Sequence, residues 1–173
     1  MLKKTWRQLK QLREQKDEIA RETVSIMSRL GKIGQLHDYV SIGDNGKMVL
    51  PLREALGMRG QVWVVHDVRP ESSEIPVVLE RGSVEPLGHF VLVDYQDVTT
   101  PRWAIPDESA DLVTMNQGLH HLPQTDIMKF LGEVRRILRP GGLFIVREHN
   151  ARPVTPPSVR NPFLLPLSVS SKV

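Results

Sequence analysis

Apolar residues recur mostly at three- and four-residue intervals from Leu2 through Trp6, Leu9, Leu12, Ile19, Ile26, Leu30 and Ile33, with Lys, Arg, Glu and Gln between them. That period predicts one amphipathic helix over 2–33, stopped by Gly31 and Gly34. Laid against a main domain, it buries one stripe; a lid over a pocket or a dimerisation helix would use the same stripe. From residue 35 the rhythm shortens. "DYVSIG" (38–43), "QVWVVHD" (61–67), "HFVLVDYQD" (89–97), "ADLVTMN" (110–116) and "GLFIVRE" (142–148) are short, nearly continuous apolar runs. "KMVLPLREALGM" (47–58) reads as a helix with Pro51 in its first turn. In "TDIMKFLGEVRRILRPGG" (125–142) Thr125 or Asp126 is placed to cap a helix that Pro140-Gly141-Gly142 ends. Apolar strands alternating with helices predict an α/β domain whose parallel sheet is covered on both faces. Between 68 and 88 three prolines leave room for at most a short helix or an irregular strand-like piece around "IPVVLERG". The organisation is therefore a helix over 1–34, an α/β domain over 35–150 and an irregular Pro/Ser-rich tail over 151–173, which holds five of the 13 prolines.

At 173 residues the chain has length for one compact domain. It contains no cysteine, which excludes disulfides, thiolate nucleophiles and zinc–thiolate sites. No apolar stretch reaches the roughly 20 residues of a membrane span, and the basic N-terminus carries Glu14, Asp17, Glu18 and Glu22, so the cytoplasm is the expected compartment. The net charge of +3 conceals an asymmetry: residues 1–33 carry nine Lys/Arg against four acids, while 34–150 carry eleven against sixteen. Basic ends around an acidic middle do not compose the clustered face that nucleic acid requires.

In an open parallel sheet ligands bind outside the carboxyl ends of the strands, so the residues just past each run carry the candidate chemistry. The first run leads into "GDNGKM" (43–48), two glycines before a helix N-terminus, where backbone can approach a ligand and unpaired N–H groups favour negative charge. Asp67 comes after the second, Asp94 and Asp97 after the third, "NQGLHHLP" (116–123) after the fourth and "EHN" (148–150) after the fifth. As neighbours in a strand-like segment, His120 and His121 would point oppositely, a poor arrangement for a metal pair, and no metal site is expected. His66 reads as a satisfied core histidine, Trp103 and Tyr95 as adenine-stacking or sheet-covering aromatics, and Arg135, Arg136 and Arg139 as a solvated helix face.

"IPDESADLVTMNQGLHHLP" followed by "FLGEVRRILRPGGLFIV", with the strand-end residues above, resembles class I S-adenosylmethionine-dependent methyltransferases, in pattern the small-molecule enzymes of the quinone-biosynthesis type. The resemblance covers about 36–150. It implies a Rossmann-like sheet in the order 3-2-1-4-5, S-adenosylmethionine as cofactor and methyl transfer to a small-molecule acceptor. It places Gly43, Asp44 and Gly46 around the methionine part of the cofactor, Asp67 on the ribose, Asp97 (or Asp94) at the adenine amino group, and Asn116 and Gln117 beside the sulfonium end. His120 is the candidate general base where an acceptor carries a proton to remove. The pattern also departs from the family. Ser41 stands where an acid usually precedes the first glycine, Asn45 and Lys47 replace glycines, and 151–173 does not resemble the family's final helix and antiparallel hairpin. Strand five would then be an open edge, covered by "FLLPL" (163–167) or by a second subunit. These departures define the alternative, a non-catalytic methyltransferase-fold protein that binds a partner through its N-terminal helix.

Overall fold

A computed structural model describes residues 2–67, 75–94, 102–116 and 118–148. Leu2–Arg29 form helix α1, which Gly31 and Gly34 end at positive φ. After it come β1 (Tyr39–Ile42), α2 (Val49–Leu56), β2 (Val62–His66), the short α3 (Ile75–Arg81) and β3 (His89–Leu92), then β4 (Ala110–Asn116), α4 (Ile127–Ile137) and β5 (Leu138–Arg147). All four strand pairings are parallel, in the order β3-β2-β1-β4-β5. Gln117, Tyr95, Asp97, His149 and the tail, with its "FLLPL", lie outside the described residues.

The inner strands β1, β2 and β4 are buried on both faces, which is why their sequences show runs rather than alternation. Alternation reappears in what each side chain touches. Tyr39, Val62, Val64, Leu112 and Leu143 join Ile19, Ala20 and Met27 of α1 and Val49, Leu52 and Leu56 of α2 in one cluster. Val40, Ile42, Val65, Val113, Met115 and Phe144 point the other way, into a cluster with Phe130, Val134 and Ile137 of α4. The domain thus has three layers, with α1 and α2 on one face and α4 on the other.

Four local expectations are corrected. The buried stripe of α1 runs through Ala20, Thr23 and Met27, whereas Leu30 and Ile33 are 45% and 47% exposed, because the helix ends before its last predicted turn. Helix α4 stops at Ile137 instead of running to Pro140. Leu138 is already extended and pairs with Ala110 of β4, so sheet pairing ends the helix before Pro-Gly-Gly can. Asp126 occupies the N-cap position but makes no side-chain cap; its carboxylate holds Lys129 Nζ at 2.9 Å.

The fourth correction concerns the arginines. Arg136 is 14% exposed, donates to Ile105 O at 2.8 Å and Trp103 O at 3.2 Å, and pairs with Glu133 and Asp107. It thereby ties the approach to β4 onto α4. Arg139 bridges Asp111 at 2.8 Å and Asp38 at 2.6 Å. Asp111 Oδ2 in turn accepts the backbone N–H groups of His37 and Asp38, and Asp38 Oδ1 accepts that of Gln61. This clamp sits at the amino ends of the strands, opposite the edge that carries the candidate chemistry. Only Arg135 of the three is exposed.

Candidate functional site

Strand register sets the geometry of the carboxyl edge. Ile42 pairs with Val65 on one side and Met115 on the other, so Gly43, His66 and Asn116 each stand one step beyond the same level. Asn116 pairs with Arg147, and Glu148 and Asp67 come immediately after.

The loop after β1 is built for tight curvature. Gly43, Asn45 and Gly46 all have positive φ, 77°, 52° and 78°, conformations open to glycine and tolerated by asparagine. A Cβ on Gly46 would meet Val64 Cγ2 at 3.2 Å, so the loop lies directly on β2. Its turns close through Lys47 N–H to Asp44 O and Val49 N–H to Gly46 O, both 3.0 Å.

Inside this loop Asp44 is fully buried. Its Oδ1 accepts the Ser41 hydroxyl at 2.6 Å and the Gly46 N–H at 2.9 Å. Behind Ser41, the Tyr39 hydroxyl donates to Ser41 Oγ at 3.2 Å and lies 2.7 Å from Thr114 Oγ1. Each hydroxyl has one proton, so the chain has one consistent direction: Thr114 to Tyr39, Tyr39 to Ser41, Ser41 to the carboxylate. Burial pushes the Asp44 carboxyl above its usual range, against the opposing pull of Ser41, the Gly46 N–H, the Lys47 charge and Asn116. Burial and the Asp44 charge likewise raise the Tyr39 phenol. A buried carboxylate thus stands three residues after position 41, with Ser41 as its donor.

Three buried polar atoms at this edge, Asp44 Oδ2, Asn45 Oδ1 and Asn116 Nδ2, have no partner in hydrogen-bond geometry among the described residues, although Asn116 lies near enough to Asp44 to favour its charged form. Leaving such groups unpaired costs about 1–3 kcal/mol each, so the arrangement is poised for a ligand bearing both a cationic donor and an acceptor. An α-amino acid end has that chemistry, and the residues present fit the methionine part of S-adenosylmethionine.

On the far lip, Glu148 organises the turn after β4. Its Oε1 accepts the N–H groups of Gly118, at 2.9 Å, and Leu119, at 2.5 Å, while Oε2 takes His120 Nδ1 at 2.8 Å. The bond to His120 and the two N–H groups hold this carboxyl below its usual range despite partial burial. With Glu148 ionised, the proton of the pair sits on His120 Nδ1 and Nε2 is the basic nitrogen. The strand-like alternation expected for the two histidines does not hold. Leu119–His121 form a 3₁₀ turn, and the two rings lie side by side with centroids 4.2 Å apart.

Asp67 is exposed and pairs with His66 Nδ1 at 2.8 Å, so His66 is satisfied at the rim rather than in the core. Asp94 is exposed just beyond β3. Trp103 is buried, edge-on to Phe130 at 5.5 Å; it covers the sheet and is not exposed for stacking on adenine. Tyr39, Thr114 and Lys16 do not stand out as site residues in the sequence, whereas Glu148 is there as the acid of "EHN" (148–150). The signals for these three exist there: a hydroxyl residue in each of two buried strands, and a lysine interrupting the α1 stripe.

The model of the methyltransferase domain family matches residues 42–146. A ubiquinone/menaquinone biosynthesis C-methyltransferase of Pseudoalteromonas translucida is 33% identical over 106 residues, 61% of this chain and 39% of that protein. The chain thus spans about two-fifths of that relative's length. Among solved structures, phosphoethanolamine N-methyltransferase 2 of Haemonchus contortus, in complex with phosphomonomethylethanolamine and S-adenosylhomocysteine, is 20% identical with a TM-score of 0.51 over 74% of this chain and 28% of its own. The YcgJ protein of Bacillus subtilis gives a TM-score of 0.50 at 20% identity over 76% and 52% of the two chains. The family match runs from the end of β1 to the end of β5 and so encloses the glycine loop, the β2 acid and the turn after β4: this chain belongs to the class I S-adenosylmethionine-dependent methyltransferases.

Proposed function

We propose that this chain binds S-adenosylmethionine at the carboxyl edge of β1, β2 and β4 and directs its methyl group to a small-molecule acceptor. The observation that carries the reading is the buried Asp44 carboxylate, fed by three aligned hydroxyls and left with one unpaired oxygen beside Asn45 and Asn116. A buried carboxylate with an orphan oxygen calls for a cation, and the cofactor's α-ammonium supplies one.

In this reading Gly43, Asp44 and Gly46 hold the methionine part, Asp67 accepts from the ribose hydroxyls, and Asn116 lies near the sulfonium end with Gln117. Asp97 remains the proposed adenine contact. When bound, the cofactor supplies an electrophilic methyl group whose transfer is an in-line displacement, governed by alignment more than by acid–base work. What the protein adds is orientation at the strand ends and, where the acceptor bears a proton, a base: His120, its tautomer set by Glu148. The quinone-biosynthesis relative favours a small-molecule acceptor.

Isothermal titration of the folded protein with S-adenosylmethionine and S-adenosylhomocysteine tests this. One site of micromolar or tighter affinity is expected, and absence of binding by both ligands would overturn the reading.

A further inference from the structure

The N-terminal half of α1 does more than cover the sheet. Gln15 and Lys16 of α1, Lys47 of the loop after β1, Asn116 and Arg147 line a small cavity of about 20 Å³ that contains no acidic side chain in its wall. That volume holds one water-sized group. Five side chains with N–H donors converge on it, three of them cationic. Arg147 already pairs with Glu22 at 3.3 Å, and Lys16 Nζ donates to Glu80 O at the end of α3. Lys47 Nζ has no hydrogen-bond acceptor among the described residues, and its charge acts on Asp44. Burial and the nearby Lys47 charge depress the Lys16 ammonium, against the opposing pull of Glu80, Asp44 and Asp17. The unpaired Nδ2 of Asn116 belongs to the same wall.

We infer that this cavity is an oxyanion site that admits one oxygen of a carboxylate, built jointly by Lys16 of α1 and Lys47 of the glycine loop. Carbon-bound oxygen entering it meets two ammonium groups and an amide donor, and relieves the repulsion between the lysines. Lys16 and Gln15 lie outside the family-matched segment, 42–146, so α1 brings donors to this cavity from beyond that segment. The proposed function bears only on which molecule brings the carboxylate. One source is the cofactor's own amino-acid end, whose ammonium would sit on Asp44. The other is an anionic acceptor.

Calorimetry on the full chain separates these. S-adenosylhomocysteine carries the amino-acid carboxylate and 5′-methylthioadenosine lacks it; both are titrated into wild type, Lys16→Met, Lys47→Met and Lys16→Arg, with thermal melts confirming that each variant folds. If the carboxylate is the cofactor's, the Met variants bind S-adenosylhomocysteine about tenfold more weakly, bind methylthioadenosine as before, and Lys16→Arg restores much of the loss. If it belongs to a second molecule, both nucleosides bind unchanged, while inorganic phosphate binds to the S-adenosylhomocysteine-loaded wild type and not to the Met variants. Variants that match wild type toward all three probes overturn the inference. A wild type that binds neither nucleoside defeats the proposed function alone, and phosphate binding to the apo protein, lost in the Met variants, would still support the cavity.

Discussion

At the scale of single residues, the site turns on a displaced charge. The family's acid before the first glycine is Ser41 here, yet a carboxylate still occupies the loop because Asp44 folds back onto the Ser41 hydroxyl. An acid whose folded value is raised holds its proton more tightly in the folded chain than in the unfolded one. The apo protein therefore loses stability as pH rises from the ordinary carboxylate range through the raised value, and a cationic ligand recovers it. Asp44→Asn keeps an acceptor for Ser41 and removes the titration. Its melting temperature relative to wild type is expected to improve as pH rises through that window, while S-adenosylhomocysteine binds at least about tenfold more weakly at neutral pH, a loss of about 1.4 kcal/mol. Melts from acid to neutral pH and calorimetry check both halves; parallel pH profiles for the two proteins would contradict the assignment. The presence of a glycine loop is legible in "GDNGKM". That the Asp44 carboxylate folds back onto Ser41 is not, since it depends on positive φ at Gly43, Asn45 and Gly46 turning the chain back on itself.

At the scale of elements, polar side chains hold the connections that apolar patterning leaves unspecified. Strand β4 is legible in the sequence with its observed bounds, because a seven-residue run of "ADLVTMN" buried on both faces has one plausible conformation. The segment before it has no such pattern. Arg136 fastens it, donating to the carbonyls of Trp103 and Ile105 while Glu133 steadies the guanidinium. Arg136→Met keeps the stem and removes these bonds, and is expected to cost about 1.5–3 kcal/mol, seen as a lower urea midpoint with unchanged m-value. A midpoint equal to wild type would restore the solvated-face reading of this arginine. Helical spacing alone could not distinguish the two, since a buried and a solvated arginine look alike until the loop that covers one of them is placed.

At the scale of the molecule, α1 closes one face of the sheet and walls the carboxyl edge. Ile19, Ala20 and Met27 share a cluster with α2 and the strands, and full burial of Ile19 and Met27 is worth about 1.5–3 kcal/mol each. Against a typical domain stability of about 5–15 kcal/mol, that is a large share. Deletion of residues 1–33 is thus expected to lower the melting temperature sharply and expose the α2 face, read as dye binding and as association in size-exclusion chromatography. A truncated chain that melts like wild type would make α1 a detachable appendage.

What the sequence determined by itself is what depends on neighbours along the chain: the alternation of strands and helices, the extent of β4, and the strand ends at which polar residues gather. Through the family resemblance these were enough to anticipate the 3-2-1-4-5 sheet. Tertiary structure decided where the polar side chains go. Asp44 beneath Ser41, Arg139 between Asp38 and Asp111, Glu148 on the turn of His120, and Lys16 beside Lys47 each join segments that are distant in sequence or reversed by a turn. Apolar periodicity is a local signal because each residue needs only to know its face. Pairing of buried charge is not local, because its energy depends on one partner at one distance after the water between them has gone.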